Sequence, residues 1–251
     1  MRLKIFETKE MLGTESAKHA AQIINEAISR KGGAVILLST GASQFPFFNE
    51  FIKTDVDWSR VEMFHLDEYV GISKDHPASF NKYLTDRFVS RVPLGKYHLI
   101  DGEADAKQNV KALTELLAER EIDLGMIGIG ENAHIAFNDP PADFEDTAAY
   151  KVVTLADRCL DQQIGEGWFK SREECYKQAI SMTCSQIMKC RHIISVVPYA
   201  VKAEAVRNTF ENEVTEMIPA TLLKRHPDAV IYCDKDSSAL LDDVTVAKYS
   251  F

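Results

Sequence analysis

The 251-residue chain carries 38 acidic against 29 basic residues, a formal charge of -9, which excludes the extended basic surface that duplex binding needs. Its 45% hydrophobic and 27% charged residues are those of a soluble globular protein. The N-terminal MRLKIFETKE turns charged at once, and no apolar run is long enough to span a bilayer. Five cysteines without a CxxC pair fit free thiols in a reducing compartment, so the chain is read as cytoplasmic and without membrane contact. No repeat, low-complexity stretch or linker divides it, and residues 1–251 are taken as one domain.

In chain order, residues 17–30 place Ala20, Ile23, Ile24, Ala27 and Ile28 at helical spacing, with Lys31-Gly32-Gly33 as a stop. Residues 34–38 form a short run apolar on both faces, as in a strand covered by helices on each side. The unit recurs. A strand over 61–66 precedes a helix-like 79–88, a helical 109–119 precedes a strand over 122–129, and a strand over 192–197 precedes a helical 202–210. A last strand covers 229–233. Such alternation predicts a Rossmann-like three-layer α/β fold with a mainly parallel central sheet covered by helices on both faces. Ligands of such sheets sit at the carboxyl ends of the strands, so the residues that follow each strand are the informative ones.

Ser39-Thr40-Gly41-Ala42-Ser43 follows the first of these strands. Small residues let backbone N–H groups reach an anion, and the Thr40 and Ser43 hydroxyls add donors. A plain strand–helix turn capped by Ser43 explains the same residues, and taken alone is the better reading. The segment is neither a Walker loop nor GxGxxG. Asp67-Glu68 leaves the next strand, and adjacent carboxylates there can have separated proton affinities; a loop aspartate capping a turn is the alternative. His65, inside that strand, reads as a packing residue.

Gly130-Glu131-Asn132-Ala133-His134 and Asn138-Asp139 leave the strand over 122–129, whose glycines at 125, 128 and 130 permit an unusual backbone. A histidine among carboxylate and amide partners can have its tautomer fixed and carry protons near neutral pH. A buried histidine bonded to backbone is the plainer reading, and the density of polar groups favours function. Lys202 stands at a helix start, unfavourable without an anion nearby, which makes it a phosphate partner or else a solvated lysine. No HExxH, zinc-spaced Cys/His cluster or GxSxG elbow is present.

Taken together, these strand ends resemble the glucosamine-6-phosphate deaminase/isomerase family. STGAS resembles its phosphate loop TGG[ST], FHLDEYVG its F-x-x-DEY-x-G, GIGENAHIAFNDP its G-x-G-x-x-GHIAFN-[ED]-P, and VVPYAVKA its lysine block. The blocks run from about Ser39 to Asp234. The related 6-phosphogluconolactonases share the fold and the glycine-rich strand exit, and the IAFN tail is that of the deaminase branch. The resemblance implies aldose–ketose isomerisation and deamination of an amino-sugar phosphate, glucosamine 6-phosphate giving fructose 6-phosphate and ammonia, with no metal or organic cofactor and no nucleic-acid partner. It implies Asp67 as the base shuttling a proton between C2 and C1, with Glu68 beside it. It also implies His134 as the group opening the ring and Asp139 as its carboxylate partner. Thr40, Gly41, Ala42, Ser43 and Lys202 would surround the phosphate. A homo-oligomer is compatible, since family members include hexamers and monomers.

The sequence departs from that pattern in ways that bear on substrate. Asn132 stands for an aspartate that orients the histidine, Asp139 for a glutamate, and Ala133 and Ala42 for glycines. The arginine that usually joins the phosphate has no clear counterpart, with Arg158 and Arg172 as nearby candidates. The stretch Gln162-Gln163-Ile164-Gly165-Glu166-Gly167-Trp168-Phe169 is read as a divergent segment able to reshape the pocket. A galactosamine-6-phosphate deaminase, a lactonase or a non-catalytic sugar-phosphate sensor are the alternatives. Retention of both Asp67 and His134 argues against the sensor, since phosphate binding requires neither.

Overall fold

A computed structural model describes residues 1–165 and 167–250. In chain order they form β1 (Arg2–Phe6), α1 (Lys9–Lys31), β2 (Ala34–Leu38), α2 (Phe45–Phe51), β3 (Val61–His65), β4 (Asp67–Tyr69), α3 (Phe80–Leu84), β5 (Lys96–His98) and α4 (Ala106–Leu117). There follow β6 (Leu124–Met126), β7 (Tyr150–Thr154), α5 (Asp157–Gly165), β8 (Gln178–Met182), α6 (Cys184–Ile187), β9 (His192–Val197), α7 (Ala203–Glu211), β10 (Ala229–Asp234) and α8 (Asp243–Tyr249).

The central sheet has seven strands in the order β1-β10-β9-β6-β2-β3-β5, and every pairing in it is parallel. Alternation along the strands divides its two faces. Leu37, Phe64, Ile193 and Ile231 face one core with α4, α6 and α7. Ile36, Leu38, Met63, Ile194, Val196 and Tyr232 face the other with α1, α2 and α3. Helices thus cover both faces, as the all-apolar strands require. Thr8 caps α1 by accepting from the Met11 N–H, and Gly32, at φ 85, closes it in the left-handed conformation that glycine adopts without steric cost. No helix among the described residues is long and apolar enough to cross a membrane.

Several elements lie outside the sequence expectations, β5 at the sheet edge and α5, α6 and α8 among them, and two further differences concern the sheets. β1 pairs with β10 at the sheet edge; its RLKIF reads as charged rather than as a strand. The chain also leaves β3 for a second, three-stranded antiparallel sheet, β4-β8-β7. The crossing is fixed by the Met182 N–H donating to the Leu66 carbonyl at 3.0 Å. That turn carries Asp67 off the end of the main sheet.

Candidate active site

β2 is followed by its neighbour β3 on one side, whereas its other neighbour, β6, leads to β9 and β10. The order reverses between β2 and β6, and an open α/β sheet has its crevice at that point. One cavity at the carboxyl ends of these strands is lined by Thr40, Gly41, Ala42, Ser43, Asp67, His134 and Lys202. Of the sequence-derived candidates, the structure therefore brings the loop, the first carboxylate, the histidine and the lysine together.

The loop after β2 is tied to β6 by the Ser39 N–H donating to Met126 O at 3.0 Å. Gly41, at φ 102, turns the chain into a short 3-10 helix over Ala42–Gln44. Neither that turn nor α2 has a side-chain cap, so Ser43 is not the N-cap that a structural role would make it. Ala42 keeps an ordinary backbone, which explains why alanine is accepted there. The Gly41 carbonyl accepts from the Tyr83 hydroxyl at 2.9 Å, fixing the loop from α3. Lys202 is 4% exposed at the end of a 3-10 turn leading into α7. Tyr199 ahead of it has φ 81, a region almost reserved for glycine, and its N–H donates to the Asp234 carboxylate at 3.0 Å. A buried lysine on a strained turn is a poor solvated-surface residue.

Asp67 and Glu68 part company. Asp67 is buried against the cavity, and burial, with the Glu68 carboxylate adding to it, pushes its carboxyl up to about 8. Glu68 turns away from the cavity to the start of α3. It accepts from the Asn81 N–H at 2.7 Å, the Ser79 hydroxyl at 2.8 Å, the Tyr69 N–H at 2.9 Å and the Phe80 N–H at 3.2 Å. Burial raises its affinity for a proton against those four donors. The expectation of a catalytic Glu68 is corrected accordingly: its side chain braces a helix terminus. His65 is buried and kept neutral, burial alone pushing its imidazole down to about 3. Its Nδ1 accepts from the Ile100 N–H at 3.4 Å, while Nε2 lacks a partner, so it is a packing residue only partly satisfied.

His134 sits in a tight loop whose ends are joined by the Gly130 N–H donating to the His134 carbonyl at 2.9 Å. A Cβ on Gly130 would lie 2.3 Å from the imidazole, so this position requires glycine for the ring to occupy its place. Ala133 and Ala136 have φ 62 and 51, the strained left-handed conformation that explains the glycine expected at Ala133. The His134 Nδ1 lies 3.1 Å from Asp139 Oδ1, close enough for an ion pair but bent away from a straight hydrogen bond. Asp139 needs neither glutamate's length nor a water to reach the ring. Burial raises its carboxyl, and the contacts with His134, the Asn132 amide and the Ala156 N–H outweigh that, holding it below the ordinary carboxylate range. Asn132 supports the histidine from two sides: its Nδ2 donates to Asp139 Oδ1 at 3.0 Å and its Oδ1 accepts from the His134 backbone N–H at 3.2 Å.

The divergent segment lines the same cavity. Along α5, Cys159, Gln162 and Gln163 line the cavity, with Trp168 beyond; Glu166 lies outside the described residues. Gln162 Oε1 accepts from the Glu131 N–H at 3.1 Å, and Asp139 Oδ2 accepts from the Ala156 N–H at 3.2 Å, so the wall is tied to the histidine loop at two points. Neither arginine candidate reaches the cavity. Arg158 is exposed, and Arg172 pairs with Asp157 at 3.1 Å and with Asp161 on the outer side of α5. Lys202 is the cavity's only lining cation among the described residues. Sequence reasoning missed Gln44, Tyr69 and Phe80 in the lining, whereas Ser39 lies in the loop it singled out and Gln163 and Trp168 lie in the divergent segment it read as able to reshape the pocket.

A strand-exit loop of small and hydroxyl-bearing residues, a lysine, a buried carboxylate and a histidine share one cavity, an arrangement able to move protons on an anionic small molecule. Comparison with known proteins makes this specific. The family described as glucosamine-6-phosphate isomerases/6-phosphogluconolactonase matches residues 7–232, and the chain belongs to it. It is 34% identical over 237 residues to a glucosamine-6-phosphate deaminase of Thermoanaerobacter pseudethanolicus, covering 91% of this chain and 92% of that one. To the enzyme of the same name from Streptococcus sanguinis it is 32% identical over 240 residues, covering 95% and 99%. Among solved structures, a monomeric glucosamine-6-phosphate deaminase matches with a TM-score of 0.87 at 27% identity, covering 96% of this chain and all of that one. The 6-phosphogluconolactonase of Trypanosoma brucei, at 14% identity and a TM-score of 0.80 over 96% of this chain and 98% of that one, shares the fold.

Proposed function

We propose that this chain is a glucosamine-6-phosphate deaminase, converting glucosamine 6-phosphate and water into fructose 6-phosphate and ammonia. The observation that carries the reading is that Asp67 and His134 open onto the same cavity as residues 40–43 and Lys202. Phosphate bound by the loop and lysine supplies remote binding energy that orients the sugar's reacting end. His134, held through Asp139, transfers the proton that opens the ring. Asp67, as carboxylate, then takes the C2 proton and returns it at C1; its raised proton affinity suits it to hold that proton between the two steps. Removal of the C2 proton gives the enolamine, its return at C1 gives the ketimine, and water adds at C2 and expels ammonia. The sugar-phosphate substrate and five free cysteines support a cytoplasmic site of action.

The test is incubation of purified protein with glucosamine 6-phosphate, assaying ammonia and fructose 6-phosphate together. Equimolar formation of both is expected. Turnover of galactosamine 6-phosphate alone would move the substrate assignment, and inertness toward both would overturn the reading.

A further inference from the structure

Gln163 is 5% exposed and lines the cavity from α5. Its surroundings are apolar: Cys159, Leu160, Tyr69 and Phe137 belong to the cluster beneath this segment. Its Nε2 donates to the Cys159 sulfur at 3.3 Å, a weak acceptor, and its Oε1 has no partner. A buried carbonyl oxygen without a donor keeps its full desolvation penalty, so packing alone would favour leucine or methionine here. Nor is the glutamine there because α5 is loose. Gln162 ties the helix to the Glu131 N–H, and the Ala156 N–H ties its start to Asp139.

We propose that Gln163 is a substrate-recognition residue whose Oε1 accepts a hydrogen bond from a hydroxyl or amino group of the bound sugar phosphate, and so sets which sugar phosphate this enzyme processes. The proposal rests on the deaminase reading above and deepens it. Of the other polar groups lining the cavity, residues 40–43 and Lys202 are assigned to the phosphate and Asp67 and His134 to the reacting end. Gln44 is bonded to the Val196 carbonyl and Gln162 to the Glu131 N–H, Ser39 lies at the start of the phosphate loop, and Tyr69 belongs to the aromatic cluster. The remaining sugar hydroxyls need further partners, and Gln163 on α5 brings to the lining a buried carbonyl oxygen that is still without a donor. The last side-chain torsion of glutamine is broad, so the carboxamide can turn its oxygen to the ligand without moving the helix. A site built to bond a substrate hydroxyl or amine discriminates against analogues lacking it, because its own polar group is then left unpaired.

Full-length Gln163→Met and Gln163→Leu, two apolar replacements of different shape, test this beside wild type. Each is measured for thermal unfolding without ligand, for competitive inhibition by inorganic phosphate, and for glucosamine 6-phosphate turnover. At least one replacement should unfold at or above the wild-type temperature and leave phosphate inhibition unchanged. The same variant should lose about tenfold or more in kcat/KM. Wild-type kcat/KM in a folded variant overturns the assignment. So does a loss shared equally by phosphate inhibition and melting temperature in both variants, which would make the side chain a packing element. Failure of wild type itself to release ammonia overturns the deaminase reading, and this assignment with it.

Discussion

The strand exits and the α5 wall enclose the same cavity by different means. At the strand exits the backbone is immobilised by the sheet, and its geometry is specialised: Gly41 at φ 102, Ala133 at φ 62 and Tyr199 at φ 81 all occur there. The α5 wall has ordinary helical backbone and contacts the exits through side chains, Gln162 to Glu131, and through the Ala156 N–H to Asp139. A group that must move a proton needs placement to a fraction of an ångström, which rigid elements supply. A wall that need only complement a ligand can change sequence while the chemistry stays. On the proposed reading, the reaction belongs to the exits and substrate choice to α5.

The sharpest way to break that division is at Asp67. Asp67→Asn keeps shape and removes the base, and kcat should fall by about 10²–10⁴-fold in steady-state assays with substrate affinity retained. Gly130→Ala follows. Its Cβ would meet the imidazole at 2.3 Å, and the ring yields more easily than the backbone. A loss of about 100-fold in kcat with a small change in melting temperature is expected, since the ring's placement is lost and the core is not. Lys202→Ala should act mainly on KM, with kcat/KM down about 10–100-fold as a charged phosphate contact disappears; an unchanged KM would move the phosphate elsewhere.

Smaller effects sharpen the roles. Asn132→Asp would set a second carboxylate against Asp139 Oδ1, where the amide now donates at 3.0 Å. Activity should fall rather than rise, by about tenfold, through like-charge repulsion beside His134. Glu68→Ala strips the acceptor from four donors around the start of α3, lowering stability by about 3 kcal/mol in denaturant unfolding while costing less in kcat than the Asp67 change.

The pH dependence follows from Asp67, whose carboxyl sits at about 8 when folded against an ordinary 3.8. Between those values the folded state holds a proton that the unfolded chain has released. This group's contribution to stability is therefore full below about 4 and declines as pH rises through about 8. Asp67→Asn should flatten that part of a melting-temperature profile. In wild type the base is active only when ionised, so kcat/KM should rise through the same region instead of levelling off near pH 4.

What was legible in the sequence follows the same division. The parallel sheet was readable because runs such as residues 34–38 are apolar on both faces, and the gathering of Asp67, His134 and Lys202 at one cavity was readable because they stand just past such runs. β1 was not, since an edge strand with one side toward solvent can carry Arg2 and Lys4. The separation of Asp67 from Glu68 was also hidden, because it depends on the chain folding the start of α3 back onto Glu68, which no residue pattern announces. In α5, the divergent stretch was legible as able to reshape the pocket, but the spacing of Cys159, Leu160 and Gln163 is that of any half-buried helix, and only the fold shows which of its side chains meet the cavity.

The most direct test of Asp67 as the proton carrier uses glucosamine 6-phosphate deuterated at C2, followed by NMR. Wild type should remove deuterium from C2 at the rate of turnover and deliver part of it to C1 of fructose 6-phosphate, with Asp67→Asn leaving C2 untouched. Continued loss of deuterium from C2 in Asp67→Asn would contradict it and place the base elsewhere.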